Sequence, residues 1–264
     1  MHLFNRRAGH GNDGADQGFD PMALEGDRIQ AAPDEGPILL PLTGDFPPAW
    51  VTLPGFDENQ PAHLRVLARV RDLEGLGRRL DALLVLRQAL GESPADVPLR
   101  LKLAELLEAS GEEDEALDEL DTGLRVTRGG AALRVQRGAL LGRMGRHAEA
   151  EQELRMALEN GPDSVEARLH LGLSLLRRGR HTDALPVLEQ ALALDPGRGD
   201  VAFHLGEAWY HAGQLDRALP NLMRATELAP ADPRAYKLLG RLLDRVGRTE
   251  EAMVMHRKAR EAGS

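Results

Sequence analysis

The side chains of this 264-residue chain that could carry out chemistry are few, and their spacing argues against a reaction centre. His170 and His204 stand 34 residues apart, and His211 follows two helical turns after His204. On successive packed helices, whose axes run roughly 8–10 Å apart, the first two could not converge on one ion. No metal site is expected. The five serines (Ser93, Ser110, Ser164, Ser174, Ser264) include no G-x-S-x-G turn that would present a nucleophile. Gly75-Leu76-Gly77 reads as a corner between helices and not as a phosphate-cradling loop. Carboxylates three apart, such as Glu105 and Glu108, are what a solvated helix face carries. The absence of cysteine excludes disulfides, thiolate metal ligands and thiol nucleophiles. No catalytic residue and no cofactor are expected.

The elements that would have to position any site are set by a period of 34. Ala82, Ala116, Ala150, Ala184, Ala218 and Ala252 follow it, as do Gly77, Gly111, Gly145, Gly179, Gly213 and Gly247. Leu86, Leu120, Leu154, Leu188 and Leu222 keep the same step until His256 breaks it. Within each unit two apolar-periodic segments flank the glycine, which predicts a helical hairpin per unit with the glycine ending the first helix in the left-handed region. Small residues at unit positions 8, 20 and 27 allow close helix approach, and Pro94, Pro162, Pro196 and Pro230 stop the second helix. The units read 63–96, 97–130, 131–164, 165–198, 199–232 and 233–264. In the second, Gly123 stands where alanine is usual, at a cost of roughly 1 kcal/mol in helix propensity. With Thr127-Arg128-Gly129-Gly130 after it, the joint to the third unit is expected to be the most compliant.

Leu205, Gly206, Trp209, Ala218, Leu222, Ala225 and Pro230, repeated in phase six times, resemble the tetratricopeptide-repeat pattern. The resemblance covers residues 63–264 and implies an all-α fold, a right-handed superhelical α-solenoid of six helix-turn-helix units. It also implies an interaction scaffold and no enzyme.

Residues 1–62 differ. They hold eight of the 16 prolines and show no helical period. Residues 1–35 are expected to be disordered. Residues 36–61 place Phe46, Trp50 and Phe56 among further apolar side chains between prolines, which predicts an extended segment lying on something: a cap over the first repeats, or a motif that a partner reads or that occupies the protein's own groove as an inhibitor. The arm has three Arg against ten Asp or Glu, a balance of −7, and the rest has 30 basic against 32 acidic residues, a balance of −2. Such an array offers no basic stripe along its length, so nucleic acid is not an expected partner. No apolar run is long enough to span a bilayer, and the first residues lack a signal-peptide core, so a soluble, cytoplasmic protein is expected with no membrane insertion.

In proteins that this array resembles, unit positions 2, 5, 9, 12 and 13 of the first helix face a concave groove. Carried over, position 13 supplies a cationic ladder of Arg143, Arg177, His211 and Arg245, and units four and five supply an apolar patch of Leu169, Leu173, Leu176, Phe203 and Tyr210. The resemblance thus implies a peptide with apolar side chains and carboxylates as ligand. The Lys-and-Asn carboxylate clamp of chaperone-binding relatives is missing, since positions 5 and 9 never combine Lys with Asn here. Two functions follow as expectations. One is a scaffold holding a peptide or partner subunit in its groove. The other is an accessory or assembly factor for an enzyme or envelope complex, contacting it through the Pro-rich arm. A homodimer through the sixth unit is a further candidate assembly, because Met253 and Met255 stay apolar where His256 and Arg260 have turned polar.

Overall fold

The computed structural model describes residues 61–263 apart from 128 and 129. The expectations placed on the arm, Phe46, Trp50 and Phe56 among them, and part of the expected compliant joint lie outside the described residues.

Twelve helices and no strand occur among the described residues. They pair in order: α1 (Ala62–Gly75) with α2 (Arg79–Glu92), α3 (Val97–Ala109) with α4 (Glu113–Thr127), and α5 (Ala131–Arg143) with α6 (His147–Asn160). Then come α7 (Val165–Arg177) with α8 (His181–Leu194), α9 (Gly199–His211) with α10 (Leu215–Leu228), and α11 (Pro233–Arg245) with α12 (Thr249–Glu261). The odd-numbered helices are termed A and the even-numbered B.

One corner closes every pair. Its glycine has a φ between 71° and 82° in all six units, a backbone that a β-carbon disfavours. The residue after it sends its N–H back to a carbonyl five residues earlier, as in Arg78 to Leu73 at 2.8 Å and Gln214 to Trp209 at 3.0 Å. That bond satisfies an orphan carbonyl of helix A and turns the chain into helix B. At the starts of α3, α7 and α11 the side chains of Asp96, Ser164 and Asp232 accept a backbone N–H.

The 34-residue series is the core. Ala82, Ala116, Ala150, Ala184, Ala218 and Ala252 are wholly buried, and so are Leu86, Leu120, Leu154, Leu188 and Leu222. Glycine at unit position 8 sets the crossing within a pair. A β-carbon on Gly138, Gly172 or Gly206 would come to 2.6, 2.5 or 2.7 Å from Leu154, Leu188 or Leu222. In the sixth unit the facing residue is His256, whose Nε2 lies 2.9 Å from the exposed Asp244, so a polar pair replaces the leucine.

Gly123 has a different reason to be glycine. The buried side chain of Arg100 passes through the space its β-carbon would need and reaches Glu119 at 2.6 Å and the Pro94 carbonyl at 2.8 Å. The helix-propensity loss read from the sequence therefore makes room for an arginine.

Curvature follows from which helices meet. Each A helix packs on the A helix of the next unit from α1 through α11, whereas no two B helices pack on one another. The A side is therefore the tighter, concave side of the solenoid, and its outward positions face that groove.

Candidate functional site

In its first half the groove opens into a cavity of about 680 Å³. Leu67, Leu101 and Val135, from unit position 5 of three successive A helices, are half-buried and packed on the core, so each shows one apolar side to the cavity. Small neighbours keep it open: Pro98, Ala131 and Ala132 line it without reaching across. Its polar wall is Arg71, Glu74, Lys102 and Glu105, with Lys102 Nζ 3.0 Å from each of Glu74 and Glu105. The far end is Pro162, Ser164 and Glu166, at the corner leading into α7. A space of this size and apolar content suits a few side chains of an extended or helical segment.

The residues singled out from sequence lie further along and divide. Leu169, Leu176 and Phe203 are buried, at 6–7% exposure, and belong to the core cluster. Leu173 and Tyr210 are half-buried and pack against it. Arg143, Arg177, His211 and Arg245 are exposed. Arg143 grips Glu108 with both prongs of its guanidinium, the longer bond being 2.7 Å. His211 stacks on His181 at 4.8 Å and stands edge-on to Tyr210 at 5.4 Å. Arg245 sits over the same tyrosine, 5.7 Å from the ring centre. The structure thus gathers Tyr210, His211 and Arg245 into one cluster, leaves Arg177 solvated, and turns Leu169, Leu176 and Phe203 inward.

Electrostatics here are local. Burial, with Arg143 nearby, lowers the pKa of His170. His181 is lowered too, by desolvation and then by His211. The Nδ1 of His204 meets Glu207 at 2.8 Å, and although burial pushes Glu207 up, His204, Arg177 and His211 together hold the carboxyl below its usual range. Among the described residues no group of three His, Asp or Glu is placed to hold a metal ion. No described helix is long and apolar enough to cross a membrane.

Sequence reasoning passed over the open first half although a signal was present, since position 5 reads Leu67, Leu101, Val135 before Leu169 and Phe203 become buried. It also passed over Glu151, which is 2% exposed and receives Arg155, Arg178 and Arg180, the last at 2.7 Å. That cluster ties the third unit to the corner of the fourth.

A curved stack of helical hairpins with an open inner face defines a repeat scaffold. Family models described as tetratricopeptide repeat match residues 75–137 and 175–242, and another of the same description matches 135–198. The chain belongs to the tetratricopeptide-repeat family, and its architecture is that of a protein-interaction scaffold. No curated protein sequence matches it. Among solved structures it is similar to YrrB, described as a TPR protein with an unusual peptide-binding site, at 25% identity over 67% of this chain and 91% of that one, TM-score 0.56. MamA from Desulfovibrio magneticus RS-1 matches at 24% identity over 62% of this chain and 93% of that one, TM-score 0.57. A tetratricopeptide repeat protein from Parabacteroides merdae matches at 20% over 78% and 81%, TM-score 0.58. The last two are likenesses of fold.

Proposed function

We propose that this protein is a non-catalytic scaffold that holds a peptide segment of a partner protein in the concave A-helix groove. The observation that carries this is the cavity of about 680 Å³ floored by Leu67, Leu101 and Val135, an apolar opening on the face where successive A helices meet. Burying one leucine or phenylalanine side chain there contributes about 1.5–3 kcal/mol. The polar wall would fix register and orientation more than affinity. The likeness to YrrB supports a peptide as the ligand.

The test is selection of peptides on the full chain from a displayed random library, followed by binding of the selected peptides to Leu101→Glu/Val135→Glu. Enriched peptides that carry apolar residues and lose about tenfold or more in affinity for the variant, whose folding is checked by circular dichroism, support the reading. Enrichment of nothing, or equal binding to both proteins, overturns it.

A further inference from the structure

The outer side of α2 is unlike that of the other B helices. Unit positions 18 and 22 face outward and are exposed in all six units. The second unit places Asp114 and Asp118 there, the third Ala148 and Gln152, and the fifth Asp216 and Pro220. The first alone places two leucines, Leu80 at 76% and Leu84 at 58% exposure, and Leu76 at the corner before them is 69% exposed. Leu83, Leu86 and Leu90 on the inner side of the same helix are buried. A helix that is apolar on every side is one that is covered on every side.

The two ends of α2 complement a reversed copy of it. At its start Arg79 is exposed and donates to the Ala109 carbonyl at 2.9 Å, and among the described residues it is in no ion pair. At its end Glu92 is exposed and likewise in no ion pair. Roughly 20 Å of helix separates them, so they cannot meet within one chain. Leu80, Leu84, Arg87 and Gly91 follow at helical spacing and share the outward face. On a second α2 laid antiparallel, the register that sets Leu80 over Gly91 also sets Arg79 beside Glu92. Space is open there, since nothing lies within 4 Å of the β-carbon that Gly91 lacks. The other charges of this face are met within their own chain: Arg87 by Glu115, and Asp81 by Arg78 at 2.7 Å.

We propose that Leu80 and Leu84 are covered by a second copy of this chain, the two α2 helices packing antiparallel about a two-fold axis with Arg79 of each on Glu92 of the other. Such a contact is isologous, so it closes at two copies and does not build a filament. A single helix face about 21 Å long falls short of the roughly 800 Å² per partner of a standard interface. The dimer is therefore a weak one, with a Kd on the order of micromolar. Because α2 is a B helix, pairing leaves the concave side of both copies open. The assembly then offers two grooves to one partner, and a partner with two matching segments gains avidity from both.

Sedimentation velocity on the full chain, from low to high micromolar protein, should show a monomer giving way to a dimer. Leu80→Glu/Leu84→Glu, with folding checked by circular dichroism, is expected to raise the dimer Kd about tenfold or more. Met253→Glu, at an exposed apolar residue of the sixth unit, should leave it unchanged. Arg79→Glu is expected to weaken the dimer about fivefold, and Arg79→Glu/Glu92→Arg to restore it. That rescue has no counterpart within one chain, so a merely structural role of Arg79 does not produce it. A monomer at every concentration overturns the proposal and assigns the leucines to another occupant. A dimer that Met253→Glu breaks and Leu80→Glu/Leu84→Glu leaves intact overturns it in favour of the sixth unit. A dimer that weakens in the leucine variant, but gains nothing from Glu92→Arg in the Arg79→Glu background, overturns the antiparallel register.

Discussion

Arg100 and Gly123 compete for one space: the arginine's Cδ lies 2.3 Å from the position that a β-carbon on residue 123 would take. Helix propensity alone predicts that Gly123→Ala stabilises the chain by up to about 1 kcal/mol. Packing predicts the reverse, since displacing a buried guanidinium from Glu119 and the Pro94 carbonyl costs more than the helix gains. Gly123→Ala is therefore expected to lose about 1–3 kcal/mol in urea unfolding, and much of that loss is expected to disappear in Arg100→Ala/Gly123→Ala. A stabilised single variant would show that the arginine yields freely. By contrast Gly91, in α2 with open space around it, should accept alanine without loss.

Gly213→Ala should destabilise for a reason unrelated to space, because nothing lies within 4 Å of its β-carbon position and its φ is 79°. The cost expected is about 1–2 kcal/mol, that of a left-handed backbone on a side-chain-bearing residue. Gly213→Asn should cost less than Gly213→Ala, since Asn tolerates this conformation. Equal melting temperatures for native and Ala proteins would mean the corner can flip.

Glu151 takes unit position 21, where the other units carry Leu83, Leu117, Leu185, Leu219 and Met253. It is buried, while its three arginines are 37–49% exposed, so solvent screens much of the attraction. Glu151→Ala is expected to cost about 1–2 kcal/mol, combining lost ion pairs with a cavity. Glu151→Leu restores the apolar filling of the sibling units and should cost less. If Glu151→Ala unfolds at the same denaturant concentration as the native chain, the cluster is not what joins units three and four.

The pKa of His170 lies below the ordinary histidine value of about 6.5, chiefly through burial and then through Arg143. A base whose folded pKa is lowered binds more protons in the unfolded chain. The stability it contributes is therefore present above pH 6.5 and lost as pH falls from there toward the folded pKa. The melting temperature should decline between pH 7 and pH 5, and His170→Asn should flatten that decline. Asp200, Asp232 and Glu207, all with lowered pKa values, contribute losses only further down, below about pH 4. An unchanged profile in His170→Asn would remove this histidine from the account.

How much of this could be read beforehand depended on whether a residue's environment comes from its own unit or its neighbour's. Leu222 against Gly206 is settled within one hairpin, and the repeat displays it several times over, so the core and the corners were legible. Phe203 is not settled that way. Its position 5 faces the groove by register, but Arg234 of the next unit lies over its ring at 5.2 Å and it ends 6% exposed. At the same position Leu101 stays half-open because the next A helix offers only Ala131 and Ala132. Arg100 entering the space of Gly123 is settled within one hairpin, but it occurs in the second unit alone, where glycine replaces the alanine of the other units, so the repeat does not display it.

The claim on which the functional account rests is that a protein partner lies along the A helices. Hydrogen–deuterium exchange on the full chain, with and without a peptide selected for binding, tests it most directly. The account predicts slowed exchange in α1, α3, α5 and α7 when the peptide is bound. Slowing confined to α2, α4 and the other B helices, under conditions where the peptide is bound, would contradict it.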